Sequence, residues 1–336
     1  MDSFTQIVLG AAVGEAVAGR KIGNKAPLFG AIAGTIPDLD VFIGNAMGTV
    51  DALNFHRGFT HSLAFALIFA PLLGFVMRKL FNSSSATWRD WTLLFFLGFF
   101  THALLDCFTT WGTQLFWPVD YRIAFKSIFV IDPLYTLPLT ICLVWLMFLS
   151  KTSQKRQKLN TIGLVISSAY LVFSVVVKQH VNSVFEDSFA KENMKVSRYD
   201  TRPAPLNTLL WTSNAELADG YKIGYYSLLD NNKDIAYFYF PKNHDFLTPY
   251  RQDEDVKQLI DLTNGWYTIQ PVAKGVIYND LRFGQRTGWL EKEGDFVFSY
   301  HIYREDDKVH IEEVEKEFDD GKAIMSALWT RILGKD

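Results

Sequence analysis

Apolar positions come in two rhythms along this chain. In the first half they form long blocks, and Leu63–Val76 holds 14 residues without a charge. Further blocks run over Trp91–Trp111, Ser127–Ser150 and Asn160–Val177. Blocks of this length predict helices that cross a bilayer. Two shorter stretches, Phe4–Ala18 and Ala26–Ile36, are rich in Gly and Ala, which suits close helix packing or a re-entrant pair. Pro37 is expected to stop the second of them. After about residue 206 the rhythm becomes alternation, as in Tyr221–Leu228, Asp234–Phe240 and Asp295–Tyr303. Alternating aromatic and β-branched residues predict antiparallel strands. Asp253–Asn264 and Asp319–Leu333 read as helices. The pattern therefore predicts a polytopic α-helical membrane domain, residues 1–179, followed by a soluble α+β domain with an antiparallel sheet, residues 180–336.

Charge strengthens the division. Residues 1–179 carry 14 Lys and Arg against 9 Asp and Glu, while residues 180–336 carry 19 against 27, so the halves have net charges of +5 and −8. Ten of the first fourteen basic residues lie in three loops, 20–25, 78–89 and 151–158. Positive loops face the cytoplasm. Tracing the spans from there puts 38–60, 111–126 and everything after 178 outside. The expected arrangement is a multi-pass membrane domain with the C-terminal domain extracytoplasmic. The two cysteines, Cys107 and Cys142, both lie in apolar blocks, so no disulfide framework is expected. Met1–Phe4 lacks the basic start of a cleavable signal and is expected to be retained.

The chemistry concentrates on that outer side. His56, Arg57 and His61 sit at the mouth of the Leu63 block. His102 and Asp106 are i and i+4, on one helical face. Asp38 and Asp40 follow Pro37; two apart, they would diverge on a helix and converge in an extended loop. His56, His61, His102 and Asp106 are the expected metal ligands, with zinc first and manganese second. Asp38 and Asp40 complete the sphere or act as base. Arg57, with Arg122 and Lys126 on the same side, suits a phosphate. The competing readings are ordinary: interface histidines, loop aspartates after proline and an arginine snorkelling to headgroups. Gln114 and Asp132 are further candidates for supporting roles. Asp106 decides the balance, because an unpartnered carboxylate inside an apolar block is costly.

Six motifs then carry a resemblance: Asp2–Gln6 (DSFTQ), Gly34–Asp40 (GTIPDLD), His56–Ser62 (HRGFTHS), Thr101–Asp106 (THALLD), Thr110–Gln114 (TWGTQ) and Ile131–Tyr135 (IDPLY). In this order they resemble the YdjM-type inner-membrane, predicted metal-dependent hydrolases. The likeness covers about residues 1–150. It implies a bacterial membrane protein with metal-dependent hydrolase activity. A looser likeness is to the His/Asp arrangement of zinc-dependent phospholipases.

The expected function is metal-assisted hydrolysis of a lipid or other membrane-borne ester or phosphoester at the outer face. The expected partners are the bilayer and a lipid or lipid-linked substrate, with no nucleic acid. A metal or proton transporter would instead spread titratable groups through the bilayer depth. A non-catalytic scaffold would work through residues 180–336 and leave His56 dispensable.

Overall fold

A computed structural model describes residues 1–290, 294–316 and 321–335. It divides into two compact units. The first comprises Met1–Ala46, Asn54–Val176 and Pro205–Asn207; the second comprises Met47–Leu53, Val177–Ala204 and the described residues from Thr208 on.

The first unit is helical. Helix α1 (Ser3–Ile22) is capped by Asp2, whose side chain accepts from the Thr5 N–H at 3.0 Å. It turns back at Gly23 into α2 (Lys25–Thr35). The two pack backbone to backbone. A Cβ at Gly10 would lie 2.3 Å from the Gly30 carbonyl oxygen, and one at Gly30 would lie 2.2 Å from that of Gly10. Only glycine permits that approach.

Pro37 does not break the chain into a loop. A 3-10 turn (Ile36–Leu39) continues from α2 into α3 (Asp40–Gly44), so Asp38 and Asp40 sit on helical backbone rather than in an extended segment. A proline in the first turn lacks only an N–H that had no partner to lose. Helix α4 (Thr49–Phe55) follows. A second 3-10 turn, Phe59–His61, leads to Ser62, which caps α5 (Leu63–Leu80) through the Phe65 N–H at 3.0 Å. Helix α6 (Trp88–Asp106) starts on a reciprocal capping box between Thr87 and Asp90 and stops five residues short of Trp111.

Helix α7 is Pro133–Met147, shorter than the Ser127–Ser150 block. Asp132 caps it through the Leu134 N–H at 2.9 Å, and Pro133 occupies its first turn. Helix α8 (Gln154–Lys191) outlasts its apolar block by more than three turns. Its tail stays helical because Val181, Val184, Phe185 and Phe189 are buried in the second unit against Trp211 and Tyr226.

Among the described residues, three helical segments are long and apolar enough to cross a membrane: Lys25–Gly44, Leu63–Leu80 and Gln154–Lys191; Pro133–Met147 is a shorter apolar helix. Their outward faces are oily, with Leu67, Ile68, Leu72 and Phe75 on α5 and Ile141, Val144 and Trp145 on α7 all exposed. In water such faces would be unstable, and in lipid they are the rule.

The second unit contains two four-stranded antiparallel sheets. The first orders β1 (Arg198–Pro203), β2 (Leu210–Glu216), β3 (Gly220–Ser227) and β4 (Tyr237–Pro241). The second orders β5 (Tyr267–Pro271), β6 (Val276–Gln285), β7 (Phe296–Glu305) and β8 (Lys308–Glu313). Leu210, Tyr221 and Ile223 of one sheet share a core with Leu281 and Phe296 of the other. Helix α9 (Glu254–Leu262) is capped by Asp253 and buries Val256 and Leu259. Helix α10 (Gly321–Ile332) buries Leu328 and Ile332; Asp319, where a closing helix was expected to begin, lies outside the described residues.

Candidate metal centre

Each segment that reaches the centre does so at a helix end. Asp38 comes from the 3-10 turn after α2, His61 from the turn before α5, and His102 and Asp106 from the last turn of α6. On each of these four side chains one potential ligand atom lies within 4.8 Å of the other three. His61 Nε2 is 3.1 Å from Asp38 Oδ1 and 3.5 Å from Asp106 Oδ2. His102 Nε2 is 3.4 Å from Asp38 Oδ1 and 3.6 Å from Asp106 Oδ2. The two Nε2 atoms are 3.1 Å apart. A tetrahedral zinc site with bonds near 2.1 Å has ligand-to-ligand edges of about 3.4 Å. The five edges just given scatter around that length.

Proton positions sharpen the picture. His102 Nδ1 is 2.7 Å from the Gly34 carbonyl oxygen, which can only accept, so Nδ1 carries the hydrogen. Thr60 donates its single hydroxyl proton to Asp40 Oδ2 at 2.8 Å. Its oxygen, 3.0 Å from His61 Nδ1, must therefore accept from that nitrogen. His61 lies outside the spans, and burial lowers its pKa to about 4, which keeps it neutral at pH 7. His61 Nε2 is then a bare lone pair, and so is His102 Nε2 in the neutral ring that donates through Nδ1. With two carboxylate oxygens they make four acceptors around one point and no proton to share.

Asp106 is divided between two roles. Its Oδ1 takes the Met1 amino group and Gln6 Nε2, the latter at 3.1 Å. Its Oδ2 has no hydrogen-bond donor and faces the imidazoles. A buried carboxylate oxygen with no hydrogen bond, and with the Arg57 guanidinium no closer than 3.5 Å, has room for a cation. These residues could hold a metal ion.

Around the four sits a supporting layer. Asp40, two residues after Asp38, points to a different set of groups. Its Oδ1 accepts from His56 Nδ1 at 2.9 Å, and its Oδ2 accepts from the Arg57 N–H at 3.2 Å as well as from Thr60. His56 is thus held by Asp40 and lies outside the cluster of four, while Asp38 lies within it. Arg57 is buried, with Nη1 donating to Thr109 at 2.9 Å and Nε without a hydrogen-bond partner, 3.5 Å from Asp106 Oδ2. Its φ of 62° is left-handed, a conformation that costs a non-glycine residue of order 1 kcal/mol. Asp40 and the Gln114 N–H, which donates to the Arg57 carbonyl at 3.1 Å, hold it there.

Arg122 is spent on structure. It donates to the His56 and Asn54 carbonyls at 3.1 and 2.7 Å and so pins the loop that carries Arg57. Gln114 Nε2 bonds Asp120 at 2.7 Å, and Asp132 caps α7 and accepts from the Tyr170 hydroxyl at 2.9 Å. Sequence reasoning gave no role to Thr60, Gln6 or the Gly34 carbonyl. Thr60, Gln6 and Gly34 all lie inside the quoted motifs, which was the only available signal.

With this geometry in place, comparison with known proteins is informative. The YdjM inner membrane protein family matches over residues 1–181. The inner membrane protein YbcI of Escherichia coli (strain K12) is 38% identical over 91 residues, covering 26% of this chain and 49% of that protein. The chain thus spans about half the length of the curated relative it matches. No solved structure matches.

Proposed function

This chain belongs to the YdjM inner membrane protein family, and on that premise we propose that it is a membrane-bound hydrolase that uses a divalent cation, zinc or manganese, on a lipid or lipid-linked ester or phosphoester. One observation carries the reading: four acceptors without a shared proton meet at the centre, two of them imidazole nitrogens. The cation would be held by Asp38, His61, His102 and Asp106. When bound it would supply Lewis acidity toward a substrate oxygen and lower the pKa of a water.

The surrounding residues would do the rest. Arg57, anchored on Thr109, would direct its unbonded Nε to an anionic oxygen of the substrate. His56 would carry the proton, because Asp40 occupies Nδ1 and leaves Nε2 as acceptor, and its side chain is 28% exposed while His61 and His102 are closed to solvent. Asp40 would position His56, Thr60 and the Arg57 backbone together. The distribution of basic loops would place this end of the helices, and the second unit, on the extracytoplasmic side. The titratable groups gather at helix ends rather than along the helices, which favours a hydrolase over an ion pathway.

The test is metal analysis of the purified protein together with a panel of lipid carboxyl esters and phosphoesters, with and without chelator. Wild type is expected to hold about one equivalent of metal, and the His61→Ala, His102→Ala double variant none. Equal metal content in both would remove the site. Metal in the wild type without chelator-sensitive turnover on any lipid would remove the hydrolase reading alone. His56→Ala is expected to keep its metal and lose turnover.

A further inference from the structure

At the other end of α1 from the metal centre, a groove of 850 Å³ opens between α1 and α8. A second cavity of 540 Å³ shares Arg20, Gln157 and Thr161 with it and adds Lys158. On α8 the lining runs from Gln157 to Val172 on one stripe, about 22 Å at the rise of an α-helix. The stripe changes character along its length. Gln157, Asn160 and Thr161 form its polar end, whereas Leu164, Val165, Ala169 and Val172, interrupted only by Ser168, form its apolar end. One leaflet of a bilayer core is about 15 Å deep, so the apolar stretch matches an acyl chain.

The polar end is positively charged. Lys21 is committed to Asp90, and Glu15 is neutralised by Arg156. Among the described residues, Arg20 bonds only the neutral side chain of Gln157 and Lys158 has no carboxylate partner. Two cations are left facing the groove mouth. A separate feature marks the wall: Asn160 is 4% exposed, its Nδ2 donates to the Ala12 carbonyl at 2.9 Å, and its Oδ1 has no hydrogen-bond partner. A buried amide acceptor without a donor calls for a ligand hydroxyl or water at that level.

We propose that this groove is a binding site for an anionic phospholipid, with its phosphate on Arg20 and Lys158, a hydroxyl near Asn160 and one acyl chain along Leu164–Val172. Charge complementarity and the polar-to-apolar gradient along one helix stripe select this occupant. Water cannot fill an apolar groove in the hydrocarbon region, and a peptide would need its backbone satisfied there.

The full chain in detergent would be titrated with phosphatidylglycerol, with phosphatidylcholine of the same chains and with glycerol phosphate, and bound ligand read by native mass spectrometry. Phosphatidylglycerol should bind at least about tenfold more tightly than phosphatidylcholine, a preference worth roughly two surface charges. Glycerol phosphate should not bind. Arg20→Gln with Lys158→Gln should abolish the preference, while Arg78→Gln with Lys79→Gln, in another basic turn, should keep it. Ala169→Trp, on the groove wall, should weaken both lipids. Circular dichroism would verify the fold of each variant; if Ala169→Trp fails that check, the charge variants alone decide. Equal binding of the two lipids, a preference that survives the loss of Arg20 and Lys158, or binding of glycerol phosphate would each overturn the proposal.

Discussion

Replacing Arg156 by Met should destabilise the first unit more than any single surface change. Arg156 grips Glu15 with two hydrogen bonds of 2.6 Å, and the two side chains are 1% and 2% exposed. Its Nη1 also serves the Asn24 side chain at 2.7 Å and the Leu149 and Leu146 carbonyls at 3.0 and 3.2 Å, at the C-terminal end of α7. Removing one partner of a buried ion pair costs about 3–5 kcal/mol, because the other charge stays buried. Replacing both by apolar residues is often neutral, but here the two carbonyls and Asn24 would still lose their donor, at about 1–3 kcal/mol. Arg156→Met should therefore cost about 3–5 kcal/mol. Glu15→Leu with Arg156→Met should recover to within about 3 kcal/mol of wild type. The assay is denaturation in mixed micelles followed by tryptophan fluorescence, run as a double-mutant cycle. A single variant costing under about 1 kcal/mol, or a double variant equal to the sum of both singles, would refute the argument.

Other outcomes follow from features already described. Gly30→Ala places a Cβ 2.2 Å from the Gly10 carbonyl oxygen and should cost about 1–3 kcal/mol, whereas Gly48→Ala, with nothing within 4 Å, should be silent in the same denaturation assay. Thr60→Val removes the hydroxyl that fixes the His61 tautomer and should lower metal affinity about 10–100-fold, read by competition with a chelating dye. Burial lowers the pKa of His244, which stacks on Tyr267 at 4.0 Å and bonds its carbonyl through Nε2. The unfolded chain therefore takes up a proton first as pH falls, so this contribution is complete above the unfolded pKa of about 6.5 and is lost as pH drops below it. Thermal melts from pH 8 to 5 should show less acid sensitivity in His244→Phe; an identical pH slope would contradict it.

Much of the fold is legible from composition because solvents differ. The charge division near residue 179 and the apolar blocks reflect lipid, and the alternation at Tyr221–Leu228 reflects a strand, found as β3 and buried at every position but Lys222. Asp253 was readable as a helix start because capping is local. The i, i+4 relation of His102 and Asp106 is equally local. What could not be read depends on distant partners. Arg156 sits in a basic run that looks solvated, and its burial is set by a carboxylate 141 positions away. The divergence of Asp38 from Asp40 hinges on whether the chain stays helical through Pro37, which two residues of sequence do not decide. The tautomers of His61 and His102 depend on a hydroxyl and a carbonyl whose roles appear only in three dimensions.

The glycine seam between α1 and α2 reaches further than packing. Gly34 belongs to it, since a Cβ there would lie 2.4 Å from the Gln6 carbonyl oxygen. The same residue's own carbonyl takes the proton of His102, and Gln6 holds Asp106 with its amide. The seam is therefore a ruler: the spacing of two helices, set by the absence of side chains, decides which nitrogen of an imidazole is left bare. A methyl group at Gly34 would add no charge and touch no ligand. It would still move the centre out of calibration, through a residue whose one bond to the site is made by its backbone.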